Sequence, residues 1–97
     1  MYVDIISARY VNAYSIELTF ENGRSGVVDF TKFIGKGGVF SRLSDLDFFK
    51  RFRVNEELGI ITWDEEIDVA PEVLYSEATG EPLPHWMHQE REMRETA

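Results

Sequence analysis

A chain of 97 residues with a formal net charge of −8, 43% hydrophobic residues and no cysteine reads as one globular domain, and its composition excludes disulfides, thiolate metal sites and thiol catalysis. So acidic a chain offers few cations for phosphate contacts, which argues against direct nucleic-acid binding. Its apolar runs are too short for a membrane-spanning helix, the first residues lack the basic stretch and long apolar region of a secretory leader, and the missing cysteines fit a reducing compartment, so a cytoplasmic location is expected.

In chain order, Val3 to Tyr10 reads as a first strand and Asn12-Ala13 as a turn. Tyr14, Ile16, Leu18 and Phe20 then alternate with Ser15, Glu17, Thr19 and Glu21, the period-2 pattern of a half-buried strand. Asn22-Gly23 signals a hairpin into a third strand, Arg24 to Phe30. A two-residue loop sets Ile16 opposite Asp29. A three-residue loop, Glu21-Asn22-Gly23 with Gly23 left-handed, sets Ile16 opposite Val28 and Tyr14 opposite Phe30. Only the second register keeps apolar facing apolar, and it is the one expected.

Thr31 is a candidate cap for a short helical turn, Lys32 to Ile34, and Gly35-Lys36-Gly37-Gly38 reads as a loop. Ser44 with Asp47 three residues on resembles a capping box, and Leu43 and Phe48 occupy the staple positions. Asp45 and Asp47 in the first turn and Lys50 and Arg51 in the last suit the helix dipole, and Phe48, Phe49 and Phe52 give the face to be buried. Arg53-Val54 starts a strand, Asn55 to Gly59 is a turn, Ile60 to Trp63 is a strand, and Asp64-Glu65-Glu66 is a charged corner. Pro71 suits the first position of a helix that runs to about Ala78 and is stopped by Gly80. The pattern predicts an α+β fold: a small antiparallel sheet, made of an N-terminal meander and a second strand pair, with two or three short helices. Residues 1–80 are expected to form the domain, and 81–97 a flexible C-terminal tail. The expected core is Ile16, Leu18, Val28, Phe30, Phe40, Phe49, Ile61 and Leu74.

Charge is segregated. Residues 1–53 hold eight cations and six anions, and residues 54–97 two cations and twelve anions. Between Arg53 and Arg91 lie ten carboxylates and no Lys or Arg. A directed field of this kind steers partners.

Each candidate site has a plainer alternative. His85-x-x-His88 with Glu90 and Glu92 could hold a divalent metal if helical, but two prolines precede it and a solvated tail explains it. Asp64, Glu65, Glu66 and Asp68 could hold a hard cation or work as an acid/base pair, yet the calcium-loop pattern is absent and a charged turn suffices. Gly35-Lys36-Gly37-Gly38 lacks phosphate-loop spacing. Lys50, Arg51 and Arg53, with Lys32, Lys36 and Arg42, could bind an anion, or complete a helix dipole and pair with acidic neighbours. Trp63 and Tyr75 could anchor an interface, although an apolar strand points Trp63 to the core.

Two segments carry a family resemblance. One is Leu18-Thr19-Phe20-Glu21-Asn22-Gly23-Arg24, continuing through Gly26-Val27-Val28-Asp29-Phe30. The other is Phe52-Arg53-Val54 through Leu58-Gly59-Ile60-Ile61-Thr62-Trp63, then Ile67-Asp68-Val69-Ala70-Pro71-Glu72-Val73-Leu74-Tyr75. With Gly38-Val39-Phe40, Leu43 and Asp45 between them, they resemble the bacterial domain-of-unknown-function family 2442 over about residues 1–78. The resemblance implies a small α+β domain, alone or fused to a helix-turn-helix segment, with no established activity and no catalytic residues to carry over. Members look like partners of another small protein in a toxin–antitoxin-like pairing. Residues after about 80 depart from the pattern and show no helix-turn-helix.

The expected function is therefore a small non-catalytic protein-binding module, an antitoxin-like partner of another small, basic bacterial protein, using no cofactor. Its partner-binding residues are expected to be Asp64, Glu65, Glu66, Asp68, Glu72 and Tyr75. The alternatives are a carboxylate- or metal-dependent ligand-binding or enzymatic domain, and a homo-oligomeric structural module, such as a homodimer paired through a sheet edge.

Overall fold

The computed structural model describes residues 3–82. Strands β1 (Ile5–Asn12), β2 (Ser15–Phe20) and β3 (Ser25–Asp29) are followed by helix α1 (Thr31–Ile34), a 3₁₀ helix (Gly38–Ser44) and helix α2 (Leu46–Phe49). Strands β4 (Arg53–Asn55), β5 (Ile60–Trp63) and β6 (Ile67–Asp68) and helix α3 (Pro71–Thr79) complete the order. The α+β class is as expected. There are two antiparallel sheets, each of three strands, in the orders β1-β2-β3 and β4-β5-β6. The expected second strand pair is thus a triplet: β6 is two residues long and too short to show a period. Among the described residues no helix is long and apolar enough to cross a membrane.

The first sheet follows its sequence pattern. Ile16 faces Val28 and Leu18 faces Gly26, and the Phe30 amide donates to the Tyr14 carbonyl at 2.8 Å. The hairpin loop is Glu21-Asn22-Gly23, closed by Phe20 donating to the Arg24 carbonyl at 2.9 Å, with Gly23 at φ 90°. Two details differ from expectation. β1 starts and ends two residues late, and its turn is Ala13-Tyr14, since Asn12 still pairs with Ser15. The register of β1 also slips at Ile6 and Val11, as β-bulges do, and leaves both side chains exposed.

The short helices do not start on the bonds expected of Thr31 and Ser44. Thr31 does not cap α1; the Asp29 carboxylate accepts from the Thr31 amide at 2.9 Å and also from its hydroxyl. Ser44 does not cap α2 and the capping box does not form. Asp45 accepts from the Asp47 and Phe48 amides at 3.1 and 3.4 Å, while the Ser44 hydroxyl turns back to the Ser41 carbonyl. A carboxylate outcompetes a neighbouring hydroxyl for amide donors because its charge strengthens the bond. α3 behaves as read: Pro71 opens it, Glu72 lies in its first turn, and Gly80 ends it at φ 82°.

The core lies between the sheets and the helices. Ile16, Leu18, Val28, Phe30, Phe49, Ile61 and Leu74 are buried as expected, and Phe40 is not. Phe40 is half-buried in the 3₁₀ helix, where Leu43 takes the inward position, and Phe33 of α1 is buried. Phe48 and Phe52 are also half-buried, which leaves Phe49 as the one inward ring of α2. Trp63 is fully buried. It stacks on Phe49 at 5.8 Å, meets Phe30 edge-on at 5.5 Å, and donates its indole N–H to the Phe49 carbonyl at 2.8 Å. α3 packs on β3 so closely that a Cβ at Gly26 would meet the carbonyl group of Ala78, its carbon at 2.8 Å.

Gly23→Ala should cost about 1 kcal/mol, because a Cβ is disfavoured at positive φ. Leu18→Ala, which truncates a fully buried side chain, should cost about 2–5 kcal/mol. Urea unfolding measures both, and a Gly23→Ala effect near zero would contradict the left-handed loop.

Acid should weaken the Asp29 contact at the start of α1. The hydroxyl of Thr31, and secondarily its amide, hold the Asp29 carboxyl below its ordinary value. A pKa lowered in the folded state adds stability above the unfolded value, about 3.9, and that stability is lost as pH falls through the folded one. The stability gap between the protein and Asp29→Asn should accordingly shrink between about pH 5 and pH 3.

Candidate functional site

A concavity of about 880 Å³ opens between the segment carrying the 3₁₀ helix and α2 and the second sheet. Three arginines line it, Arg42 from the 3₁₀ helix, Arg51 from the link after α2 and Arg53 from β4, along with Asp64 and Glu65 of the β5–β6 turn. Phe48, Phe52 and Val54 supply apolar surface. The strand register explains part of this arrangement. Arg53 and Asp68 both pair with Thr62, so they share one face of the second sheet, while Val54 and Ile61 point to the other.

Arg42 is held in place. Its guanidinium lies 4.4 Å from the centre of the Phe48 ring. Its fork reaches Glu66 at 2.7 Å and Asp64 at 3.7 Å. Asp64 and Glu65 sit in left-handed backbone, φ 57° and 60°, the pattern of a type I′ turn. That turn aims the carboxylates of Asp64 and Glu66 at the arginine.

The six residues expected to bind a partner do not form one surface. Asp64, Glu65 and Glu66 are exposed on the turn, and Asp68 is exposed on β6. Glu72 is half-buried in the first turn of α3. Tyr75 belongs elsewhere. Its ring meets Phe20 edge-on at 5.0 Å, and its hydroxyl accepts from Asn22 at 3.0 Å and from Arg24 at 3.3 Å. Arg24 also binds Glu81 at 3.0 Å, and these two partners, Glu81 first, raise the affinity of its guanidinium for its proton. Tyr75 thus fastens α3 to the β2–β3 hairpin.

The basic cluster divides as well. Lys32 pairs with Glu77 at 2.6 Å, and Lys36 and Lys50 lie over the rings of Phe33 and Tyr10. Only Arg42, Arg51 and Arg53 of that group share the concavity. Gly35-Lys36-Gly37-Gly38 connects α1 to the 3₁₀ helix, with Gly37 and Gly38 at positive φ. Among the described residues no three His, Asp or Glu side chains converge as a metal site, and Asp64 and Glu66 are committed to Arg42. His85, His88, Glu90 and Glu92, and with them the tail from residue 83, lie outside the described residues. The concavity itself escaped the sequence reading, because its arginines and its acidic turn meet only once the 3₁₀ helix and β6 are in place. What it offers chemically is a set of guanidinium donors beside apolar faces.

If Tyr75 fastens α3 through its ring, Tyr75→Phe should cost less than about 1.5 kcal/mol, the net worth of a hydrogen bond. Tyr75→Ala should cost about 2 kcal/mol or more for the lost packing. Equal losses in urea unfolding would shift the weight to the hydroxyl.

No curated protein and no solved structure matches the chain. The family described as protein of unknown function (DUF2442) matches residues 5–80. That span runs from the first residue of β1 to the glycine that ends α3, so it takes in both sheets, the arginine-lined concavity and the acidic turn. The chain therefore belongs to the DUF2442 family.

Proposed function

We propose that this chain is a non-catalytic protein-binding module, an antitoxin-like partner of another small bacterial protein, working in the cytoplasm. The observation that carries the reading is the β5–β6 turn. Asp64, Glu65, Glu66 and Asp68 are all exposed there, with Arg42 the one cation paired to them among the described residues. Holding Asp64 and Glu65 left-handed costs about 1–2 kcal/mol for each residue, so the fold maintains this display against a local penalty. A basic protein surface complements it, and such complementarity speeds encounter more than it deepens affinity. The bound partner would be occluded by the acidic corner.

Copurification of a tagged copy with the product of the adjacent gene is the first test. Association rates across a salt series are the second, with Glu65→Lys/Asp68→Lys compared with Glu21→Lys/Glu57→Lys. All four residues are exposed and make no ion pair among the described residues, so the two variants change net charge equally. Capture should slow by about tenfold more in the first variant, and the difference should fade once salt shortens screening well below about 8 Å. Equal slowing would leave only net charge at work and would sink the acidic-turn reading.

A further inference from the structure

We infer that the arginine-lined concavity is a docking groove for an acidic, extended peptide segment that carries bulky apolar side chains, contributed by the partner protein. This rests on the reading of the chain as a protein-binding module and adds a contact of opposite sign beside the acidic turn. The argument starts from what the cations do. Among the described residues Arg9, Arg24, Lys32 and Arg42 each hold a carboxylate. Lys36 and Lys50 each lie over an aromatic ring. Arg51 and Arg53 have neither partner there, and both line the concavity. In a chain of net charge −8, these two arginines have neither the carboxylate nor the aromatic ring that engages every other described cation.

The groove's shape selects a peptide over a simple anion. Three consecutive residues of β4, Arg53, Val54 and Asn55, line it, so it runs along the strand and is not confined to one face of it. β4 is also an outer strand of its sheet, the position at which an extended segment can align. Phe48 and Phe52 are half-buried beside it and have apolar surface left for a guest to cover. Arg42, stacked on Phe48 and held by Glu66 and Asp64, has its fork occupied, which leaves the guanidinium forks of Arg51 and Arg53 to match a guest's carboxylates two bonds at a time. Asp64 and Glu65 line the same concavity. A polynucleotide, with a charge on every phosphate, meets them unfavourably. A peptide can place its carboxylates at Arg51 and Arg53 and leave the acidic side to uncharged residues.

The test uses the full chain and a fluorescein-labelled peptide of about eight residues alternating Glu and Phe, an extended pattern, with its Lys–Phe counterpart as control. Anisotropy should show saturable binding of the acidic peptide only. Arg51→Glu/Arg53→Glu should weaken it by about tenfold or more, and Lys36→Glu/Lys50→Glu, the same charge change elsewhere, by about twofold or less. Arg51→Gln/Arg53→Gln should fall between them, and it guards against misfolding of the charge-reversed variant. Amide shifts on titration should centre on residues 53–55. The inference is overturned by absence of saturable binding, by equal loss in both reversal variants, or by displacement of the peptide by inorganic phosphate or a short RNA at equal concentration. Each of those outcomes leaves the salt-dependent test of Glu65 and Asp68 standing, so the two readings fail separately.

Discussion

The indole of Trp63 is where the two sheets and the helical segment between them meet. It stacks on Phe49 of α2 and meets Phe30 at the end of β3, while Phe49 in turn receives the edges of Tyr14 and Tyr10 from the first hairpin. Each such aromatic pair contributes about 0.5–1.5 kcal/mol beyond the area it buries. The indole N–H finds the Phe49 carbonyl, which satisfies a donor that would otherwise be stranded in the core. Through this contact α2 is fixed against β5. With α2 fixed, Arg51 and Arg53 are carried to the wall of the concavity, and the β5–β6 turn is held at its other side.

The charge segregation seen in the sequence is partly consumed inside the fold. Arg24, Lys32 and Arg42 of the cationic half reach Glu81, Glu77, Glu66 and Asp64 of the anionic half. Exposed pairs of this kind contribute little stability individually, about 0–1 kcal/mol. Their larger effect is on what a partner meets. The outward field is not that of a uniformly acidic half but of the residues left over, Glu65 and Asp68 among the carboxylates and Arg51 and Arg53 among the cations.

The first hairpin was legible because its signals are local and agree. A period-2 strand with one buried face and an Asn-Gly turn leave one register that keeps Ile16 against Val28. α3 was legible for the same reason, with Pro71 and Gly80 marking its ends. The middle of the chain was not. The 3₁₀ helix has no apolar period, and it is held by Leu43 in the core and by the Tyr14 hydroxyl on the Ser44 carbonyl, a contact made thirty residues away in sequence. β6 is defined by its pairing with Thr62 and Trp63 and not by its own two residues. Ser44 and Asp45 are both acceptable caps, so sequence alone left a one-residue ambiguity that the carboxylate resolved. The acidic turn was readable as a charged corner. Its capture of Arg42, and the separate employment of Tyr75, depend on tertiary neighbours that no spacing encodes.

The N-terminal end of the described chain has a consequence for the order in which the domain can be completed. The Ile5 amide donates to the Gly59 carbonyl at 2.9 Å, and the Asp4 carbonyl accepts from Glu21 at 2.8 Å. On a ribosome, β1, β2 and β3 emerge long before Gly59 does. The nascent meander can pair its strands, but the start of β1 has no acceptor at Gly59 and no Trp63 to close the core. The start of β1 is thus fastened first to Glu21 and only later to Gly59, and the domain commits to its fold only after the β4–β5 turn has cleared the exit tunnel.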